Sequence, residues 1–215
     1  KEFEKRILSS FIIIPIALFF VIKGSTFFTF FLSIFFLATS YEWFKMTKKN
    51  LIKIFGILYL CFTFYSAFLL RNEAGLNFFI FIIIICIFTD IGGYIFGKIF
   101  KGPKLTKISP NKTYSGVIGS FVLSVMAASI FSQYQKSFIL FEILNLDNND
   151  LSYILIILLI SAVSQIGDLI ISYFKRLAKI KNTGNLLPGH GGLLDRIDGI
   201  IFAIPFSYLV FIYLN

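Results

Sequence analysis

The chain has 215 residues, 57% of them hydrophobic and only 14% charged, with 20 Lys and Arg against 11 Asp and Glu and a net charge of +9. This balance excludes a soluble globular domain and points to an integral membrane protein. The positive surplus lies in short segments between apolar runs, which argues against a nucleic-acid partner and for contact with anionic lipid and nucleotide.

In chain order, seven spans are predicted, at Ile7–Ile22, Ser25–Tyr41, Ile54–Leu70, Leu76–Gly97, Gly116–Gln133, Leu151–Ile171 and Ile197–Leu214. Several are short for a hydrocarbon core of about 30 Å. A helix is the only structure open to a single span, because lipid leaves no partner for an unpaired backbone group. The expected fold is therefore all-α and polytopic, with about seven transmembrane helices. Residues 1–75 form N-terminal transmembrane helices and residues 76–215 a catalytic transmembrane region with cytoplasmic loops, together one membrane domain. No clean small-residue cleavage site follows the first run, so it is not read as a removed signal. Cys61 and Cys86 lie within apolar runs and read as inert packing residues, and Trp43 and the tyrosines read as interface anchors.

Orientation follows from the cations. Seventeen of the 20 Lys and Arg fall in one alternating set of loops, and the other set holds only Lys23, Arg71 and Lys136. By the positive-inside rule the N-terminus is cytoplasmic and the C-terminus outside. At 1.5 Å per residue Asp90 then lies about 21 Å, and Asp168 about 26 Å, from the outer ends of their spans. Asp195 and Asp198 begin the last span at the inner surface. All four acids thus gather at the depth of a cytoplasmic-leaflet lipid phosphate.

The fourth span carries Asp90, readable as a packing acid paired with a lysine or as a functional group. Gly92, Gly93 and Gly97 beside it suit close helix packing or a phosphate cradle. The loop Lys98–Lys112 after it could be ordinary positive-inside charge, or could cover an anionic substrate. The segment Ser164–Asp198 is the most charged, with three carboxylates, five cationic side chains and the lone His190. Its first half places Ser161, Ser164, Gln165, Asp168, Ser172, Arg176 and Lys179 on one helix face. Its second half, Asn182–Gly192, has four glycines and Pro188 and must be a loop. Asp195 and Asp198, at i,i+3, share a face. Together with Asp168 and the nearby cations they suit Mg²⁺ holding a phosphate-bearing substrate. His190, flanked by glycines, reads as a satisfied loop histidine or as a phosphate contact.

The run S-Y-F-K-R-(x4)-K-N-x-G-x-x-L-P-G-H-G-G-L-L-D-R-I-D, Ser172–Asp198, resembles the signature of the phosphatidate cytidylyltransferase (CDP-diacylglycerol synthase) family. Gln165-x-Gly167-Asp168-Leu169, Asp90-x-Gly92-x-Tyr94 and Ile108-Ser109-Pro110-Asn111-Lys112-Thr113 are similar to the same family. Two positions depart, Asn182 where the pattern has Asp and Ser115 where Glu is expected. The motifs cover roughly residues 80–215. The resemblance implies that CTP and phosphatidate give CDP-diacylglycerol and pyrophosphate at the cytoplasmic side of the cell inner (plasma) membrane. It implies catalytic roles for Asp168, Asp195, Asp198, Lys175 and His190, with Asp168, Asp195 and Asp198 holding Mg²⁺. Substrate contacts are expected from Asp90, Ser109, Lys112, Ser172, Arg176, Lys181, Gly191, Gly192 and Arg196. By the same analogy it leaves room for a second metal ion, and family members form homodimers. Two rivals remain: a CTP-dependent lipid-alcohol kinase using His190 as base, and a transporter or channel with acids along its path.

Overall fold

The computed structural model describes residues 15–106, 108–134, 151–186 and 191–214. Residues 15–23 are helical (α1), followed by Ser25–Met46 (α2), Asn50–Glu73 (α3), Gly75–Phe100 (α4), Tyr114–Tyr134 (α5), Leu151–Leu177 (α6), the single turn Leu194–Ile197 (α7) and Ile200–Leu214 (α8). An isolated β-bridge joins Lys104 and Thr113. The chain is an all-α polytopic membrane protein: α2 to α6 are five helices long and apolar enough to cross a membrane, and α8 is a shorter apolar helix of 15 residues. These six match the second to seventh expected spans. The first expected span falls partly on residues 7–14, outside the described residues.

Several helices run past their expected ends, and the extensions carry chemistry. Helix α2 continues from Tyr41 to Met46 because Glu42, Trp43 and Met46 are buried rather than exposed to an interface. Trp43 is thus not an interface anchor: its Nε1 donates to the Ile52 carbonyl at 3.2 Å, and its ring meets Phe174 edge-on. Helix α6 continues from Ile171 to Leu177, so Ser172 and Lys175 are held on helix rather than loop. It ends where Lys179 turns to φ 56° and the Ile180 and Lys179 N–H groups close back on the Lys175 and Arg176 carbonyls, both at 3.0 Å.

Small residues set the tightest helix contact, as expected of bundles that lack a hydrophobic drive between helices in lipid. Helices α4 and α5 form the most extensive pair. A Cβ on Gly92 would lie 2.4 Å from the Gly119 carbonyl oxygen, and one on Gly116 would lie 2.8 Å from that of Gly93. The packing reading therefore holds for Gly92, while Gly93 also borders a pocket. Beside this pair a core of Phe28, Leu70, Phe81, Ile82, Ile85, Ile157 and Ile160 joins α2, α3, α4 and α6. A second cluster, Trp43, Met46, Leu60, Ile171, Leu194 and Ile201, lies beneath α7. Cys86 is buried in the first core and Cys61 is exposed, both as free thiols.

Pro205 interrupts α8 and cannot donate to the carbonyl of Ile201, four residues earlier. Lipid offers no water to that carbonyl. The buried Thr63 of α3 donates its hydroxyl to it at 2.9 Å, and Tyr59 OH stands at 3.4 Å. Replacing Thr63 by Val keeps the shape and removes the main donor. Thr63→Val is expected to lower stability by about 1–3 kcal/mol, read as a drop in the thermal unfolding midpoint in detergent. An unchanged midpoint would mean that Tyr59 alone satisfies the carbonyl.

Candidate active site

The polar stripe of α6 faces inward as its spacing requires: Ser161, Ser164 and Ser172 are all buried. Next to it, Ser161 accepts from the Thr89 hydroxyl of α4 at 2.8 Å, and Ser120 of α5 donates to the Thr89 carbonyl at 2.7 Å. These bonds bring α4, α5 and α6 together around a pocket of about 440 Å³. Its lining includes Asp90, Asp168, Asp195 and Asp198 together with Lys112, Lys175, Lys181 and Arg196. Four acids and four bases thus share one cavity. It lies where α4 and α6 end and α5 and α8 begin.

The loop between α4 and α5 brings Lys112 to the pocket. Ser109–Pro110–Asn111–Lys112 is a tight turn closed by the Lys112 N–H on the Ser109 carbonyl at 3.1 Å, with Pro110 at the position where its fixed φ is useful. Leu105 N–H to the Lys112 carbonyl at 2.8 Å pins the returning strand of loop. Lys112 Nζ then reaches Asp168 Oδ2 at 2.5 Å and the Gln165 carbonyl at 3.5 Å. Ser172 donates to the other oxygen of Asp168 at 3.2 Å. Ser115 bonds the Lys101 carbonyl and Thr113, so at this departure from the family pattern a hydroxyl fastens the loop base.

Lys175 of α6 stands between the two acids of the last segment. Its Nζ is 2.8 Å from Asp195 Oδ1 and 4.0 Å from Asp198 Oδ2. Asp195 Oδ2 accepts the backbone N–H of Thr183 at 2.8 Å and of Gly192 at 3.1 Å. Asp195 thus clips two separate parts of the loop together while pairing with a cation. Asp198 Oδ1 accepts from the Gly199 N–H at 3.0 Å, in the turn between α7 and α8.

Among the described residues no group of three or more His, Cys, Asp or Glu side chains stands close enough together to hold a metal ion. The expected trio Asp168, Asp195 and Asp198 is therefore not gathered as a ligand set, because Asp195 is committed to Lys175 and the loop backbone. Asp168 and Asp198, however, both line the same pocket. Mg²⁺ is commonly bound by one or two carboxylates plus substrate phosphates and water, so this pair fits it.

The family model described as the cytidylyltransferase family matches residues 48–214. The chain belongs to the cytidylyltransferase family. Among curated relatives it is similar to a phosphatidate cytidylyltransferase of Bacillus subtilis (36% identical, covering 70% of this chain and 53% of that protein). It is similar also to those of Staphylococcus epidermidis (36%, covering 66% and 51%) and Brucella suis (38%, covering 72% and 54%). The chain spans about half the length of these curated relatives.

Of the residues the sequence nominated, Asp90, Ser109, Lys112, Asp168, Lys175, Lys181, Asp195, Arg196 and Asp198 line the pocket. Asn182, the other departure, lines it too and packs near Gly191. Ser172, Gly191 and Gly192 stand behind the lining. Ser172 supports Asp168, and the Gly192 N–H supports Asp195. Arg176 points elsewhere, donating from Nε to the Ile108 carbonyl at 3.3 Å and tying α6 to the α4–α5 loop. His190 lies outside the described residues. One residue was missed: Glu42, only 1% exposed, whose oxygens accept from Thr183, Leu193 and Leu194. An acid just inside an apolar run was its available signal, hidden by placing the end of the span at Tyr41.

Lys175, Asp195 and Asp198 have only 12%, 9% and 13% of their side chains exposed. Lys175→Met leaves two acids without their cation and is expected to cost on the order of 2 kcal/mol. Adding Asp195→Asn should recover part of the loss. A thermal double-mutant cycle checks this, and strictly additive losses would show that the pair is not coupled.

Proposed function

We propose that this protein is an integral membrane phosphatidate cytidylyltransferase, transferring CMP from CTP to phosphatidate and releasing pyrophosphate. The observation that carries the reading is the pocket of four acids and four bases at one end of an apolar bundle. A phosphate carried on acyl tails reaches such a place from the bilayer, and a nucleotide reaches it from water. The names of the similar relatives and the signature Ser172–Asp198 support the same substrates.

The nucleophile is the phosphate monoester of phosphatidate, largely ionised at neutral pH because its second pKa is about 6. Its oxygen forms a bond to the α-phosphorus of CTP as the bond to the leaving pyrophosphate breaks. No strong general base is needed. The obstacle is bringing two anions together and stabilising charge on the leaving group. Lys112, Lys175, Lys181 and Arg196 serve this by donating to phosphate oxygens, with arginine able to grip two at once. Because the pocket's own acids and bases balance, phosphate-bearing substrates need cations beyond those it supplies. Mg²⁺, held by Asp168 and Asp198, would neutralise triphosphate charge when bound. Asp195 keeps Lys175 and the loop in place.

The reading includes orientation. The pocket end faces the cytoplasm and the bundle lies in the cell inner membrane, on the strength of seventeen of 20 cations at that end of the spans. A CTP-dependent kinase acting on a lipid alcohol would release CDP instead of pyrophosphate, so the product separates the two reactions.

Labelled CTP and phosphatidate in detergent should yield CDP-diacylglycerol and pyrophosphate only when a divalent cation is present. Asp168→Asn and Asp198→Asn should each lower the rate by about 100-fold or more. Release of CDP, or full activity in both variants, would reject the reading. Asn182→Asp is expected to change the rate by less than about threefold, since Asn182 packs beside Gly191 and an amide fills that place. A large rise would show that the missing carboxylate limits this chain.

A further inference from the structure

Glu42 lies near the end of α2, before the residues matched to the family, yet every group it bonds belongs to the segment carrying Asp195. Its Oε1 accepts the Leu193 N–H, and its Oε2 accepts the Leu194 N–H and the Thr183 hydroxyl, all at 2.8 Å. Leu193 supplies no side-chain cap to α7, so Glu42 satisfies amides at the start of that turn from another helix. Glycine lets the loop close on it from two sides. A Cβ on Gly184 would come within 2.8 Å of Oε1, and one on Gly192 within 2.5 Å of Oε2.

The same residues connect onward to the pocket. Thr183 holds Glu42 by its hydroxyl and Asp195 by its backbone N–H at 2.8 Å. Asp195 holds Lys175 at 2.8 Å, and Lys175 stands 4.0 Å from Asp198. We propose that Glu42 is a positioning residue of the active site: its carboxylate fixes the Thr183 loop against α7 so that Asp195 and Lys175 keep their places in the pocket. This rests on the proposed cytidylyl transfer for its kinetic consequence, but the loop-fixing role itself is independent of it. It also makes α2 part of the working site rather than only a membrane anchor.

A carboxylate is required for a stated reason. All three partners reach it as donors, and an ionised carboxylate only accepts. Glutamine has the same shape but turns an N–H₂ toward one or more of these donors. Aspartate keeps the acceptors and shortens the reach. Glu42→Gln should therefore be worse than Glu42→Asp, although it is nearer in shape.

The test measures turnover of CTP with phosphatidate in detergent, together with backbone hydrogen exchange. Glu42→Gln should lower kcat by about 10- to 100-fold while KM for CTP stays within about threefold. Exchange should rise in peptides holding Thr183 and Leu193–Leu194 and stay unchanged in α4 and α5. Glu42→Asp should recover part of kcat. Thr183→Ala, which removes one of the three bonds, should show the same local exchange more weakly and carries the test if Glu42→Gln does not fold. Turnover of Glu42→Gln within twofold of the unmodified protein overturns the proposal. So does a loss accompanied by faster exchange throughout the bundle, which would make Glu42 a general stabiliser. If the unmodified protein shows no such turnover, the proposed function fails, and the exchange pattern still decides the role of Glu42.

Discussion

Three of the four acids of this pocket stand at the end of an apolar bundle beside cations brought to them from other parts of the chain. A carboxylate at membrane depth is expensive unless it meets a partner or water. Asp168 meets Lys112, which arrives on the loop between α4 and α5. Asp195 and Asp198 meet Lys175, which arrives on the extended end of α6. Each pairing joins segments distant in the chain, so the charges that form the site also fix how the helix ends are arranged. The tight α4–α5 contact serves this purpose, since it sets where the Lys112 loop begins and ends.

Elsewhere in the bundle several polar groups follow the same rule without charge. Thr63 takes the carbonyl that Pro205 leaves open, and Thr89, Ser120 and Ser161 bond among themselves at the pocket wall. These neutral groups keep the Ile201 and Thr89 carbonyls and the Thr89 hydroxyl paired away from water. The acids cluster toward one end, where cations can reach them. A transporter path would call for ionisable groups spread across the depth of the bundle, and this distribution does not favour one.

Much of this was legible in the sequence, for identifiable reasons. Apolar runs locate helices because lipid admits few alternatives, and five long helices and α8 fall where those runs lie. The face shared by Ser161, Ser164, Asp168 and Ser172 follows from helical periodicity. What the sequence hid was the direction of individual long side chains. Arg176 neighbours Lys175, yet it turns to the Ile108 carbonyl while Lys175 enters the pocket. Asp195 and Asp198 share a face as spacing requires, but backbone N–H groups from Thr183 and Gly192 claim one oxygen of Asp195. Trp43 looked like an interface residue by composition, and it is buried because the site segment folds over it. Glu42 escaped notice because its partners lie 141 to 152 residues away, and no local pattern announces such contacts.

The two ion pairs of the pocket are not equivalent, and the difference bears on how an anionic substrate would enter. Lys112 and Asp168 keep 26% and 25% of their side chains exposed, against 12% and 9% for Lys175 and Asp195. The Lys112 loop is fastened through its backbone, which leaves the Lys112 side chain only its ion pair and the Gln165 carbonyl, whereas Asp195 is held by two backbone donors as well as its lysine. An incoming phosphate competes for a lysine by offering charge-assisted hydrogen bonds of similar strength. It gains most where water already screens the existing pair and the loop can adjust. On that argument Lys112 would be the cation that exchanges partner in the proposed reaction. Lys175 keeps Asp195 and marks the fixed side of the pocket. Under the proposed transfer, that exchange would free the Asp168 carboxylate as the phosphate binds.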